Sequence, residues 1–293
     1  MFVSDGLGVN ESGHLTVGGC DTVSLAKKYG TPYMCYDENM IRKNCREFVK
    51  SMEENYDGNG LVCYASKAFS CLEMCRICKE EKMGLDVVSG GEIFTAVKAG
   101  FPSERICFHG NNKTNDELTM ALDNNVGRIV VDNVEELKRL STLASKTGKV
   151  AKIMLRIKPG IDAHTHSFIR TGQIDSKFGF ALETGEAMTA VKLAVETDSI
   201  DLCGLHCHIG SQILDMGDFV ALCNRVNELQ DKLEARHIRI EHVNVGGGLG
   251  IDYGHPNRQP IPDFKSYFET YNSHLKFRPH QTLHFELGRA VVG

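Results

Sequence analysis

The sequence has no excess of positive charge and no long basic run. Its formal net charge is −5, which gives no reason to expect a nucleic-acid partner. It has no apolar run approaching the length of a membrane span. Its first residues, Met1 to Gly8, lack the charged-then-apolar order of a secretory signal. The chain therefore reads as a cytoplasmic protein with neither membrane nor nucleic acid as partner. No segment is low in complexity, and no repeat of fixed signature recurs. What remains is an ordinary globular composition. Of 293 residues, 42% are apolar and 24% charged, enough to bury one large core or two smaller ones.

Cysteine is the exception to this ordinariness, with eleven in the chain. A disulfide framework belongs to short secreted domains, and this chain is long with a normal core. Cys75 and Cys78 form a CxxC, and Cys71 shares their helical face, but no second CxxC follows. That spacing favours buried free thiols over a metal or redox site.

Short β-branched runs alternate with longer amphipathic ones. The strand candidates are Leu61–Ala65, Leu85–Val88, Arg105–Phe108, Arg128–Val131, Ala151–Ile157, Asp201–Cys207, Glu241–Val245 and Gln281–Glu286. Between them, Val134, Leu137, Leu140 and Leu143 make an apolar stripe at helical spacing, as do Val220, Cys223, Val226, Leu229 and Leu233. Apolar strands alternating with helices predict a parallel sheet covered on both faces. Eight such units predict a closed (β/α)8 barrel, with an open doubly wound sheet as the rival. A further strand at Tyr33–Tyr36, its helix, and the piece Met1–Tyr29 precede the eight and fall outside the barrel count.

Barrel enzymes keep their chemistry at the C-terminal ends of the strands, and the unusual residues collect there. The first strand ends in Tyr64-Ala65-Ser66-Lys67. The second contains Asp86 and runs into Ser89-Gly90-Gly91-Glu92. The third ends in His109-Gly110-Asn111-Asn112, and the fifth carries Arg156. The sixth ends in His206-Cys207-His208, the seventh in Gly246-Gly247-Gly248, and the eighth in Glu286 with Arg289 close behind. Each has a plain reading. Lys67 alone is a surface lysine, the glycines a tight turn, and Glu286 a buried carboxylate paired with Arg289. His206 and His208 point to one side of their strand and could bind a metal, but no suitably placed carboxylate is evident from sequence. Taken together, a lysine, an anion cradle and a carboxylate suit pyridoxal phosphate. The lysine supplies the Schiff base, the glycine loop holds the phosphate, and the carboxylate keeps the pyridine nitrogen protonated.

With these motifs assembled, the chain resembles the fold-type III pyridoxal-phosphate decarboxylases. The group includes diaminopimelate, ornithine and arginine decarboxylases. The resemblance rests on Tyr64 to Lys67, Gly84 to Glu92, His206 to Ser211, Gly246 to Gly248 and Glu286 to Arg289, in family order. The stretch Arg156 to Gly160, Asp162-Ala163-His164-Thr165-His166, Thr171-Gly172 and Lys177-Phe178-Gly179, together with His208 to Gln212, resembles the diaminopimelate branch.

The resemblance implies an α/β fold, a TIM barrel of the alanine-racemase-like type. Residues 1–32 would be an N-terminal segment of a β domain and 33–293 the cofactor-binding barrel, with the rest of the β domain lying past Gly293. It implies decarboxylation of meso-diaminopimelate to lysine by a homodimer. Lys67 would form the covalent link to the cofactor, His208 would stack on its ring, and Glu286 would pair with the pyridine nitrogen. Ser211, Gly246, Gly247, Gly248 and Gly288 would surround the cofactor. Arg289 would lie near its phosphate and also meet a substrate carboxylate. Asp86, Glu92 and Arg156 would form a supporting shell. Lys67 must be neutral to re-form its link, which burial and a cationic neighbour would favour. Leu287 stands where the family usually has proline, and a local backbone adjustment is expected there. The alternatives are a non-catalytic cofactor-binding barrel, or a decarboxylase of ornithine, arginine or a carboxylated polyamine.

Overall fold

Short apolar runs bounded by capping residues fix the elements locally. In a computed structural model, residues 5–161, 163, 172, 177–254 and 261–293 are described. A small antiparallel sheet comes first, made of β1 (Leu7–Val9), β2 (Leu15–Val17) and β3 (Cys20–Asp21), followed by α1 (Thr22–Tyr29) and α2 (Glu38–Asn55). The alternating units follow: β4 (Asn59–Ala65), α3 (Leu72–Glu80), β5 (Gly84–Val87), α4 (Gly90–Lys98), β6 (Ile106–Phe108), α5 (Asn115–Asp123), β7 (Arg128–Val131) and α6 (Val134–Lys146). The second half holds β8 (Ala151–Lys158), β9 (Phe180–Ala181), α7 (Glu186–Val195), β10 (Ile200–Cys207), α8 (Met216–Glu234), β11 (His242–Asn244), α9 (Phe264–His274), β12 (Thr282–Leu287) and α10 (Arg289–Val292).

The strand order β10-β11-β12-β4-β5-β6-β7-β8, with β8 pairing back to β10, closes a parallel eight-stranded barrel. The two-residue β9 adds to the end of β8 and was not expected from sequence. Helices start where the sequence supplies a cap. Ser89, Asn133 and Asp263 accept from the backbone of α4, α6 and α9, and Thr114 forms a capping box with Glu117 at the start of α5.

Tyr33–Tyr36, expected as a strand, joins no sheet. A closed barrel offers no free edge to pair with. Side chains hold this segment instead. The Tyr36 ring stacks on Phe69 at 4.1 Å, and the Tyr33 hydroxyl donates to the Thr22 carbonyl. Cys71 caps α3, Cys75 and Cys78 are buried, and all eleven thiols are free.

Side chains alternate along each strand. Outward ones join the core under the helices. Inward ones form a small separate cluster of Cys107, Val130 and Met154, capped above by polar groups. The last strand meets the first, β12 against β4, under an aromatic seam. There Phe48 of α2 lies 5.2 Å from Phe264 and 5.7 Å from Phe268, and Phe268 lies 4.8 Å from Phe285. Asn44 donates across the same seam to the Val291 carbonyl. Phe48 is fully buried, so Phe48→Ala should cost about 3–5 kcal/mol. Chemical denaturation would measure this; a cost under about 1 kcal/mol would show that α2 does not hold the seam.

Candidate active site

A cavity of about 700 Å³ opens where the strands end. Lys67, Asp86, Arg156, His208, Ser211, Gly247, Gly248, Glu286, Gly288 and Arg289 all line it. Two of the residues singled out in the sequence, Glu92 and Gly246, do not line it: Glu92 bonds Ser66 and Val88, and Gly246 packs against Cys207 and His208. The loop residues Asp162, His164, Thr165, His166 and Thr171 lie outside the described residues.

Lys67 sits in the single turn Ser66–Ala68 directly after β4. It is exposed, so the burial expected for it is not there. The turn itself is anchored: Glu92 accepts from the Ser66 hydroxyl and, at 2.8 Å, from the Val88 backbone. Glu92 thereby ties the end of β4 to the end of β5.

The glycine stretch after β11 is required by packing. Gly246 has φ +68, and a Cβ there would lie 2.5 Å from the Cys207 carbonyl oxygen. At Gly247 a Cβ would lie 1.5 Å from the Glu286 carbonyl oxygen. The Gly247 N–H donates to His208 Nδ1 at 3.3 Å, which leaves the ring's proton on Nε2 when the imidazole is neutral. Burial, then Lys67 and Arg156, holds the His208 pKa well below its ordinary value, so the ring is neutral.

Arg156, on β8, is buried. Its guanidinium lies 4.2 Å from the centre of the Phe178 ring, and its Nε lies 3.9 Å from Asp132. Arg289 bonds Ser211 Oγ at 3.3 Å and the Tyr253 hydroxyl at 3.0 Å. The simple pairing of Glu286 with Arg289 is therefore not what forms. Glu286 is met by His109 at 2.9 Å, by His206 at 3.3 Å, and by the Asn244 amide, which donates to it. Sequence reasoning assigned none of these three a role. Their signal was their register: each is a polar residue near the end of a barrel strand, pointing inward.

Two carboxyls share this interior and are driven apart. Burial, and next the Glu286 charge, raise the Asp86 pKa from 3.8 to about 8. Burial also works against the Glu286 charge, but His109 and His206 outweigh it and hold that carboxyl well below its ordinary value. At neutral pH Glu286 is ionised and Asp86 carries a proton. Neither Asp86 oxygen has a hydrogen-bond partner.

The chain matches the family described as pyridoxal-dependent decarboxylase, pyridoxal binding domain, over residues 38–293. It is 50% identical over 263 residues to a diaminopimelate decarboxylase of Bacteroides thetaiotaomicron, covering 90% of this chain and 67% of that one. Against the diaminopimelate decarboxylase of Bacillus subtilis the identity is 47% over 257 residues, covering 86% and 58%. The chain thus spans about three-fifths to two-thirds of the length of these curated relatives. Among solved structures, diaminopimelate decarboxylase from M. jannaschii in complex with L-lysine is similar. The TM-score is 0.87 at 34% identity, covering 100% of this chain and 68% of that one.

The Asp86 shift predicts a pH dependence. An unfolded chain releases this proton above about pH 4, whereas the folded chain keeps it to about pH 8. The folded state therefore loses relative stability as pH rises through that window. A carboxamide at this position has no proton to lose. Asp86→Asn should gain stability relative to the parent from pH 4 upward, levelling off near pH 8. A stability gap that stays constant across urea denaturations at pH 4, 6 and 8 would contradict the shift.

Proposed function

The chain belongs to the pyridoxal-dependent decarboxylase family, in its diaminopimelate branch, and from that membership we propose that it decarboxylates meso-diaminopimelate at its D-configured end, giving lysine and carbon dioxide. The observation that carries this reading is that Lys67, Gly247 and Glu286 share one cavity at the strand ends.

The residues present fit pyridoxal phosphate. The backbone of Gly247 and Gly248 lines one side of the cavity, with the Ser211 hydroxyl and the Arg289 guanidinium bonded together beside it. An ionised carboxylate, Glu286, stands in the same cavity. Anion-binding groups and a ring-nitrogen partner are thus both available to one ligand.

When bound, the cofactor supplies a protonated ring that accepts the electron pair left on the α-carbon as carbon dioxide departs. Lys67 offers the amine that holds the cofactor's aldehyde end. Glu286 holds a proton at the ring nitrogen. His208 offers a neutral ring fixed by the Gly247 N–H. Ser211 and Gly246 to Gly248 hold the phosphate, and Arg289 both supports them and meets a substrate carboxylate. Gly288 lets the end of β12 pass the lysine turn, since a Cβ there would lie 3.0 Å from Ala68 Cβ. Asp86 and Arg156, on the cavity wall, and Glu92, which anchors the lysine turn, support these groups.

Residues 1–32 are assigned to a β domain, because their sheet shares no ladder with the barrel. Residues 33–293 are assigned to the barrel. The proposal extends to a cytoplasmic homodimer. Eleven unpaired thiols suit a reducing compartment, and among the described residues no helix is long and apolar enough to cross a membrane.

Visible absorption tests this reading. Pyridoxal phosphate added to the chain should give a band that Lys67→Ala abolishes. meso-Diaminopimelate should then yield lysine, with ornithine and arginine inert. A folded chain with no band, or a band that survives Lys67→Ala, would refute the assignment.

A further inference from the structure

Glu286 has more company than a cofactor-holding carboxylate requires. His109 Nε2 stands 2.9 Å from one of its oxygens and His206 Nε2 3.3 Å from the other. The two imidazoles meet edge to face with centroids 4.8 Å apart, and both are buried. An ionised carboxylate at this depth needs a positive partner. Arg289 is bonded to Ser211 and Tyr253, and Arg156 lies against Asp132 and Phe178. The groups in contact with Glu286 that can carry positive charge are therefore the imidazoles.

The two are not equivalent. His109, at the end of β6, faces Glu286 of β12, Asp86 of β5 at 3.7 Å, and the Cys107 thiol of its own strand. His206, on β10, faces Glu286 and the other imidazole. From β11, Asn244 donates to Glu286. Lower on β12, His284 is engaged with His242 at 3.2 Å. Burial drives His206 down to about 4. For His109, burial opposes the charge, but the Glu286 carboxylate leads the groups that outweigh it and hold the ring well above its ordinary value.

We propose that His109 is a positioning residue, the counter-cation that keeps Glu286 ionised until the cofactor's ring nitrogen takes its place. In the cofactor-free chain His109 is the imidazolium that neutralises Glu286. The ring nitrogen of pyridoxal phosphate already carries its proton at neutral pH, so the cofactor brings its own N–H cation to Glu286. His109 then gives its proton to water, keeps the electron pair of the broken N–H bond and is left neutral. One cation replaces another, so Glu286 is never uncompensated. The inference rests on the reading of this cavity as a pyridoxal-phosphate site.

Nitrogen NMR of the histidine-labelled parent chain tests the proposal directly. His109 should be an imidazolium before cofactor is added and neutral afterwards. A ring that is neutral throughout, or charged throughout, overturns the proposal. A parent chain that binds no cofactor would instead refute the functional reading, and the cofactor-free spectrum would still report whether His109 is the imidazolium.

Discussion

The parallel ladder between β12 and β4 is the constraint on which the rest of the structure depends. It pairs Glu286 with Cys63 and Leu287 with Tyr64, and so brings the end of the chain against the turn that carries Lys67. Its register is sharply specified. Phe285 faces the aromatic seam under α2 and α9, while His284 and Glu286 face the barrel interior. A slip of one residue would exchange the two sets. Phe285 would enter a polar interior, and Glu286 would be driven into the apolar layer at the cost of an unpaired buried charge. The aromatic packing outside the barrel is therefore also what aims the carboxylate inside it.

Several of the charges inside the barrel mouth stand beside opposite ones. Lys113 is almost wholly buried. It contacts Glu136 at 2.7 Å and donates to the carbonyls of Gly110 and Val130. It thereby ties the loop after β6, whose Gly110 and Asn111 line the cavity, to the end of β7. Next along the interior come Asp132 and Arg156, and then Glu286 with its two imidazoles. Buried charges of this kind are costly unless paired. A sequence that keeps so many here gives up stability for a fixed arrangement of groups around one cavity.

Much of this was legible in the sequence, and the boundary of legibility has a physical cause. The eight barrel strands could be read because burial on both faces makes them short continuous apolar runs between amphipathic helices. The site could be read because polar residues at strand ends break those runs at one height. What could not be read is which polar groups meet across the barrel. Glu286 and Arg289 are close in sequence and invited pairing, yet an inward strand residue and a residue opening α10 point to different partners. His109, His206 and Asn244 reach Glu286 from three other strands, a relation that no spacing encodes. Tyr33–Tyr36 carries the composition of a strand, but pairing depends on a free edge, which only the closed topology reveals as missing.

The glycines after β11 show how a packing requirement and a binding requirement can coincide. A turn-only reading and an anion-site reading call for the same residues, and the close approach of Gly247 to the Glu286 carbonyl demands glycine whatever binds there. The Gly246 and Gly247 N–H groups are already engaged, by Asn244 Oδ1 and His208 Nδ1, while the backbone of Gly247 and Gly248 lines the cavity wall. The glycines therefore cannot separate the two readings, because any side chain placed there damages fold and binding together. Ser211 and Arg289 can. They bond each other at the cavity wall, away from the strand ladders, so their chemistry belongs to what the cavity holds rather than to what closes the barrel. A phosphate at this end is favoured by those two side chains, standing beside a cradle that the fold had already made.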